Sequence, residues 1–437
     1  MYAFLSLYFY QERSTFADNS YYLTEIIQHQ TFCIQYGRYF AVLTQWLPLL
    51  AVKWHLPLQQ IMWAFTISPL VLHVVVFLLI RWLTTEKWIS YIYLFSILLT
   101  AHDAFFYTND EMNQAAGLLI TLIAILRSNK ITGIRKLTAL LILIVTLHIA
   151  HLFLLLVAAA LLFLFYLEKR DKTAIVGCIV VGILLLLRIV VFKSGRDGAS
   201  IDSLSVHFIT FKNAYTSAFA QFVSKEIIQF YLPSIALLAL FFYINPVRRI
   251  VGFATLFTLI VFYIVLFVFL RNGATDSYND RYLAVLFLIG WSVLAMVIED
   301  KKMNQPYIIV ICIFVVFFSF FKLITEKRYT QKIQYLKQLM WKKPTKQLFI
   351  YEKMPEAIQG TYWSIPYETL LISSLDDETK TVFIQRQHYQ IQQYLSDSTL
   401  FLGAEWTFGN PNTLDTTYFP LQHVVYQYAS PIYKDFK

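Results

Sequence analysis

Nine apolar runs, separated by short gaps that carry Lys and Arg, constrain this chain more than any other feature. They cover residues 60–83, 88–101, 114–126, 137–167, 173–192, 230–244, 251–270, 282–298 and 307–324. A helix crosses the hydrocarbon core of a bilayer with roughly 20 apolar residues, so these runs read as membrane spans. Composition agrees. Of 437 residues, 58% are hydrophobic and only 14% charged, against about 25% charged in soluble domains. A soluble enzyme, a disordered chain and a fibre are thereby excluded. Cys33, Cys178 and Cys312 are too few and too scattered for a disulfide framework or a Cys-rich metal centre. Residues 1–10 are apolar but lack the basic start and small-residue cleavage site of a signal peptide.

The formal net charge of +9 would suggest nucleic acid in a soluble protein. Here the basic residues sit between apolar runs, where they report topology. The run 137–167 is too long for one span and has His148 and His151 near its middle. Arg81/Lys87, Arg127/Lys130/Arg135/Lys136, Lys169/Arg170/Lys172, Arg248/Arg249 and Lys301/Lys302 share one side only if that run crosses twice, turning at the histidines. The expectation is a mainly α fold. Residues 1–325 form a polytopic transmembrane bundle of about 11 spans, counting residues 1–10 as an incomplete first helix. Residues 38–54, with Arg38, Gln45, Pro48 and Lys53, read as an interfacial helix beside residues 21–30. Residues 326–437 are expected to be a small extracytoplasmic α/β domain, with strands at 347–351 and 381–385 and a helix at 389–395. Its start is basic, from Lys327 and Arg328 through Lys332 and Lys337 to Lys346. That run reads as a solvated amphipathic helix, or as attraction to anionic headgroups. Long translocated domains largely escape the charge rule.

No Walker loop, dinucleotide fingerprint, zinc-protease motif or nucleophile elbow is present. Polarity gathers instead at the outer ends of the spans, and ionisable groups at membrane depth point to function. One cluster is Phe16-Ala-Asp-Asn-Ser-Tyr-Tyr22, followed by Tyr36-Gly-Arg-Tyr39 and Gln45-Trp-Leu-Pro48. A second is His102-Asp103 with Tyr107-Thr-Asn-Asp-Glu-Met-Asn-Gln114, and a third is the polar loop 271–282 with Arg271 and Arg281. Each has a plain structural reading. Asp18 can cap a helix starting near Ser20. Asp110 and Glu111 sit where acids stabilise a helix N-terminus. Asp276 and Asp280 can pair with the loop arginines, His148 and His151 can satisfy a polar turn, and His73 reads as a packed core histidine.

An acid just after the first helix, followed by amphipathic surface helices carrying Arg38, resembles the C-type (GT-C) membrane glycosyltransferases. The resemblance lies in the layout of the helical part. It implies an inverting hexosyl- or pentosyltransferase that takes a sugar from a polyprenyl-phosphate donor. The acceptor would be a glycan, lipid or protein on the extracytoplasmic face of a bacterial inner membrane. It implies Asp18 as the catalytic or acceptor-positioning carboxylate, with Asp110 and Glu111 as partners from the second outer loop. Substrate contacts are expected from Arg38, His102, Asp103, His148, His151, Arg271 and Arg281. If a divalent cation such as Mg²⁺ or Mn²⁺ serves, Asp18, Asp110 and Glu111 are its expected ligands, since carboxylates suit hard cations. Two alternatives stand beside this reading. A cell-surface polysaccharide polymerase or ligase usually lacks so large a C-terminal domain. A lipid-linked sugar flippase would place charge at the midplane in repeated halves.

Overall fold

The computed structural model describes the chain except for residues 36, 101–102, 109, 191–230, 245–275, 299–304, 342–343, 377, 387–394, 404–413 and 430–437. The described part is mainly helical. Two short helices, α1 (Tyr2–Tyr8) and α2 (Tyr10–Thr15), lead into α3 (Asp18–His29) and α4 (Val42–Lys53). Then come α5 (Leu58–Leu83), α6 (Lys87–Thr100), α7 (Asp103–Phe106), α8 (Glu111–Ala116) and α9 (Leu118–Arg127). The expected run 114–126 is thus broken at Gly117, between α8 and α9. Next are α10 (Gly133–Ala150), α11 (Leu152–Lys169), α12 (Lys172–Val190), α13 (Leu232–Ile244), α14 (Asp276–Val297), α15 (Gln305–Thr325) and α16 (Arg328–Met340).

Among the described residues, four helices are long and apolar enough to cross a membrane: Leu58–Leu83, Gly133–Ala150, Leu152–Lys169 and the apolar part of Ile308–Met340. Their outward faces stay greasy. On α15, Val310, Ile313, Phe317 and Phe321 are all more than half exposed, at spacings of three and four that make one stripe. On α5, Val75 and Leu78 do the same. Water would penalise such a continuous apolar face, whereas lipid tails accept it.

Side-chain ties fix how the helices alternate. Lys136, at the start of α10, pairs with Asp171, just past α11, at 2.8 Å. Arg188, near the end of α12, donates to the His148 carbonyl near the end of α10. The run 137–167 is therefore two antiparallel helices that break at His151, as its charges required, and α12 returns alongside them. Arg127 makes a second knot. It pairs with Glu86 in the α5–α6 turn and donates to the Ala295 and Met296 carbonyls of α14 at 2.9 and 3.1 Å. Ser128 adds a bond to the Leu83 carbonyl. The described basic loops are thus joined at one end of the bundle. At the other end, Ser319 of α15 bonds the Leu98 carbonyl of α6 at 3.0 Å. The tail after Thr325 leaves from that end.

The tail holds a three-stranded parallel sheet in the order β2-β1-β3. Its strands are β1 (Lys346–Ile350), β2 (Thr381–Gln385) and the short β3 (Gln427–Tyr428). Between β1 and β2 lie α17 (Glu356–Gln359) and α18 (Ile365–Ser374). Residues 365–373 of α18 are all buried, because the helix is covered on both sides. One face packs on Val382 and Ile384 of the sheet with Ile333 and Leu336 of α16. The other packs Tyr367, Leu370 and Leu371 against Leu23, Ile26, Ile27 and Val52 of α3 and α4. Both expected strands are present, and the expected helix at 389–395 falls almost entirely outside the described residues.

Gly117 sits where α8 meets α6. A Cβ there would lie 2.6 Å from Tyr93 Cε2. That ring is buried and its hydroxyl is held 3.0 Å from His73 Nδ1, so it cannot swing aside. Overpacking of this kind costs about 1–3 kcal/mol. Gly117→Ala is expected to lower the thermal unfolding midpoint of the detergent-solubilised protein, and Gly117→Ala with Tyr93→Leu to recover part of the loss.

Candidate functional site

At the bundle end away from the basic loops, the chain turns sharply between α2 and α3. Ala17 makes the turn at φ 44° and ψ −119°, a conformation that favours glycine. Non-glycine residues hold such geometry only where the surroundings over-determine it, and here they do. The Ala17 N–H donates to Glu368 Oε1 at 3.0 Å, and its carbonyl accepts from Ser20 Oγ at 2.7 Å. Asn19 Nδ2 reaches the carbonyls of Arg13 and Phe106, both at 2.7 Å. Thr108 Oγ1 donates to the same Arg13 carbonyl at 2.8 Å. The Phe16 ring meets Tyr107 and Tyr329 edge-on, at 5.0 and 4.6 Å. The loop is thus clamped between the segment 105–108 and the tail.

Asp18 follows this turn, half-buried, as the first residue of α3. Sequence suggested that it caps a helix starting near Ser20. The structure corrects this: Ala17 holds the cap position and Asp18 lies in the first turn, where the helix N-terminus favours negative charge. Further along α3, burial pushes the Glu25 carboxyl up, opposed by His29 at 3.5 Å.

The clamp on Ala17 is anchored by a buried ion pair. Lys332 Nζ lies 2.8 Å from Glu368 and donates to Thr361 Oγ1 at 2.8 Å. Glu368 Oε1 also accepts from Ser364 Oγ at 2.6 Å, and the ammonium stands 4.9 Å over the Phe16 ring. Sequence reading put Lys332 in a solvated basic helix, and this is a correction. The signal was there, because Tyr329, Lys332, Ile333, Leu336 and Met340 share one stripe of α16, and all are buried.

The other expected site residues fall as follows. Asp103 opens α7 and Glu111 opens α8, with side chains outside the description. Asp110 is buried at the N-cap of α8 and accepts from the Met112 N–H at 3.1 Å, so the capping reading holds for it. Arg38 precedes the single helical turn Tyr39–Ala41, which packs on α8 and α10. His151 Nδ1 accepts from the Phe153 N–H at 3.2 Å and caps α11, as a polar turn requires. His148 lies in the last turn of α10, with its Nδ1 buried and unbonded. His102 and Arg271 lie outside the described residues. Arg281 is placed within α14 by its backbone alone. The structure therefore brings the Asp18 loop to the segment 105–108, and the Arg38 segment to α8 and α10. Among the described residues, no group of three or more His, Cys, Asp or Glu side chains could hold a metal ion.

Beneath the loop lies a buried polar patch that sequence reading passed over. Arg13 is 2% exposed, donates to the Phe105 carbonyl and to the Thr66 carbonyl at 3.0 Å, and stacks over Phe105 at 4.1 Å. With Tyr2, His73, Thr108 and Gln114 it lines a cavity of about 40 Å³, room for ordered water. His73 is the satisfied core histidine expected of it, bonded to Tyr93. The hint for Arg13 was a cation placed one helical turn beyond the apolar start of the chain.

Searches against family models, curated proteins and solved structures find no match to this chain.

Breaking a buried ion pair by removing one partner typically costs about 3–5 kcal/mol. Glu368→Gln and Lys332→Met are each expected to destabilise the protein on that scale. The double variant should cost less than the sum of the two, because no charge is left alone. Chemical denaturation of all four proteins in detergent measures the coupling.

Proposed function

We propose that this chain is a membrane-embedded inverting glycosyltransferase of the GT-C type. It would move a hexose or pentose from a polyprenyl-phosphate carrier to an acceptor on the extracytoplasmic side. The observation that carries this reading is the Asp18 loop. A half-buried carboxylate follows a strained turn, and four side chains from three parts of the chain hold that turn against the segment 105–108, which lies between Asp103 and Asp110 in the sequence. Strain kept in place by so many contacts is characteristic of working sites.

Topology supports the same reading. Arg127, Lys136 and their partners gather the described basic loops at one end of the bundle. By the positive-inside rule that end would be cytoplasmic, and the Asp18 loop and the tail would then lie outside, where no nucleotide sugar is available. A lipid-linked donor then explains a site at the membrane surface. In the proposed step the Asp18 carboxylate takes the proton from the acceptor hydroxyl. The acceptor oxygen attacks the anomeric carbon from the face opposite the phosphate, and the sugar–phosphate C–O bond breaks. The lipid phosphate leaves with the electron pair, held by guanidinium groups from Arg38, Arg271 or Arg281, whose fork suits phosphate. His102, Asp103, His148 and His151 would contact sugar or phosphate, and a divalent cation on Asp18 and Glu111 would serve the same leaving group.

Two measurements test this. Asp18→Asn keeps shape and removes the base, and base loss costs about 10²–10⁴-fold in rate. In nanodiscs supplied with a polyprenyl-phosphate-linked sugar and acceptor, release of free polyprenyl phosphate should almost cease in the variant. Turnover near wild type would remove Asp18 from the chemistry. A reporter active only outside the cytoplasm, fused after Lys437, should be active; a silent fusion paired with an active cytoplasmic reporter would reverse the topology.

A further inference from the structure

The ion pair beneath Ala17 marks one end of a two-helix strut. Lys332 meets Glu368, and further along Lys337 of α16 meets Asp376, two residues past the end of α18, at 3.3 Å, so α16 and α18 run side by side in the same direction. At their far end a cleft of about 710 Å³ opens, lined by Lys337, Trp341, Asp376, Glu378, Lys380 and Gln422 among others. That volume lies within the range of about 300–1,000 Å³ usual for small-molecule sites.

Three features of the cleft select its ligand. Trp341 is 70% exposed, an indole left in solvent beside a concavity. The described charges balance: Lys337 pairs with Asp376, and Lys380 with Glu378 at 2.8 Å. An anion entering would meet two carboxylates, and a cation two ammonium groups. Finally, both helices end here, α16 at Met340 and α18 at Ser374. Terminal helix carbonyls lack intrahelical partners and carry the negative end of the dipole. Lys380 Nζ takes one of them, the Met340 carbonyl, at 3.3 Å. The described side chains favour a ligand that is uncharged, rich in hydroxyl donors, able to accept from lysine and amide groups, and flat enough on one face to lie on an indole.

We propose that the cleft at the ends of α16 and α18 is a binding site for a neutral oligosaccharide, seated on Trp341. The apolar C–H face of a pyranose stacks on the indole while its hydroxyls bond the carboxylates, Gln422 and the helix-end carbonyls. Only the further step, that this saccharide is the acceptor, rests on the glycosyltransfer reading. Trp341 directly follows α16, nine residues beyond Lys332 and about 13 Å along the helix axis, so the strut joins the cleft to the Asp18 loop.

The test uses the full chain in detergent and again in lipid nanodiscs, with saturation-transfer NMR against cellotetraose, chitotetraose and maltotetraose. At least one tetrasaccharide should bind saturably in both settings. Trp341→Ala should weaken it about tenfold, a typical loss for one aromatic contact. Trp54→Phe, a change at an indole exposed elsewhere, should leave it unchanged. Binding of none of the three overturns the proposal, as does binding that Trp341→Ala leaves intact. Binding seen in detergent and abolished in nanodiscs also overturns it, because Trp341 would then lie in lipid. The readout is binding alone, so absent turnover, which would sink the glycosyltransfer reading, is recorded separately.

Discussion

The end of the molecule that carries the Asp18 loop is tied to the tail by one buried charge pair. Two ions taken out of water cost several kcal/mol each unless geometry and extra hydrogen bonds repay it. Lys332 and Glu368 meet that condition by recruiting Thr361, Ser364 and the backbone of Ala17. The Ala17 bond matters most. It converts the pair from a local tie within the tail into a link across 351 residues of sequence, from the tail to the turn that presents Asp18. The aromatic cluster of Phe16, Phe106, Tyr107 and Tyr329 seals water from the same point. The pair therefore works with low-dielectric walls on both sides.

The helical architecture was legible because lipid imposes a simple rule. Apolar runs of span length stand out in any sequence, and the break near His151 followed from charge parity alone, with the histidine ring then found capping the second helix. The strands at Lys346–Ile350 and Thr381–Gln385 were legible because β-branched and aromatic residues cluster there between turn residues. The turn at Ala17 was not. Glycine and asparagine advertise a positive φ, and alanine does not. Lys332 left a partial signal in the stripe it shares with Tyr329, Ile333, Leu336 and Met340, but a lysine in a basic run reads as solvated until its partner, Glu368, is known. Arg13 was hinted at only by its place one turn beyond the apolar start, because its partners are backbone carbonyls of Thr66 and Phe105, which no side-chain pattern reveals.

The candidate site positions divide along the same line. Asp110 and His151 do the local work that their position at a helix start implies. Asp18 departs from the capping role that its sequence context implied and stands instead on a turn built by distant residues. A candidate site here is legible as a set of polar segments, while the ranking within the set comes only from tertiary contacts.

The helices that flank His151 carry a consequence for the bilayer itself. Gly133–Ala150 and Leu152–Lys169 have 18 residues each, about 27 Å of helix, against roughly 30 Å of hydrocarbon in an average membrane. Spans too short for their membrane draw the leaflets together around them, at a fraction of a kcal/mol per Å of mismatch. Lipids beside this protein would then sit in a shallow dimple, with headgroups tilted toward its outer rim. A long-chain lipid tolerates local thinning more easily than a short stiff one, so the dimple would favour flexible lipids at the rim.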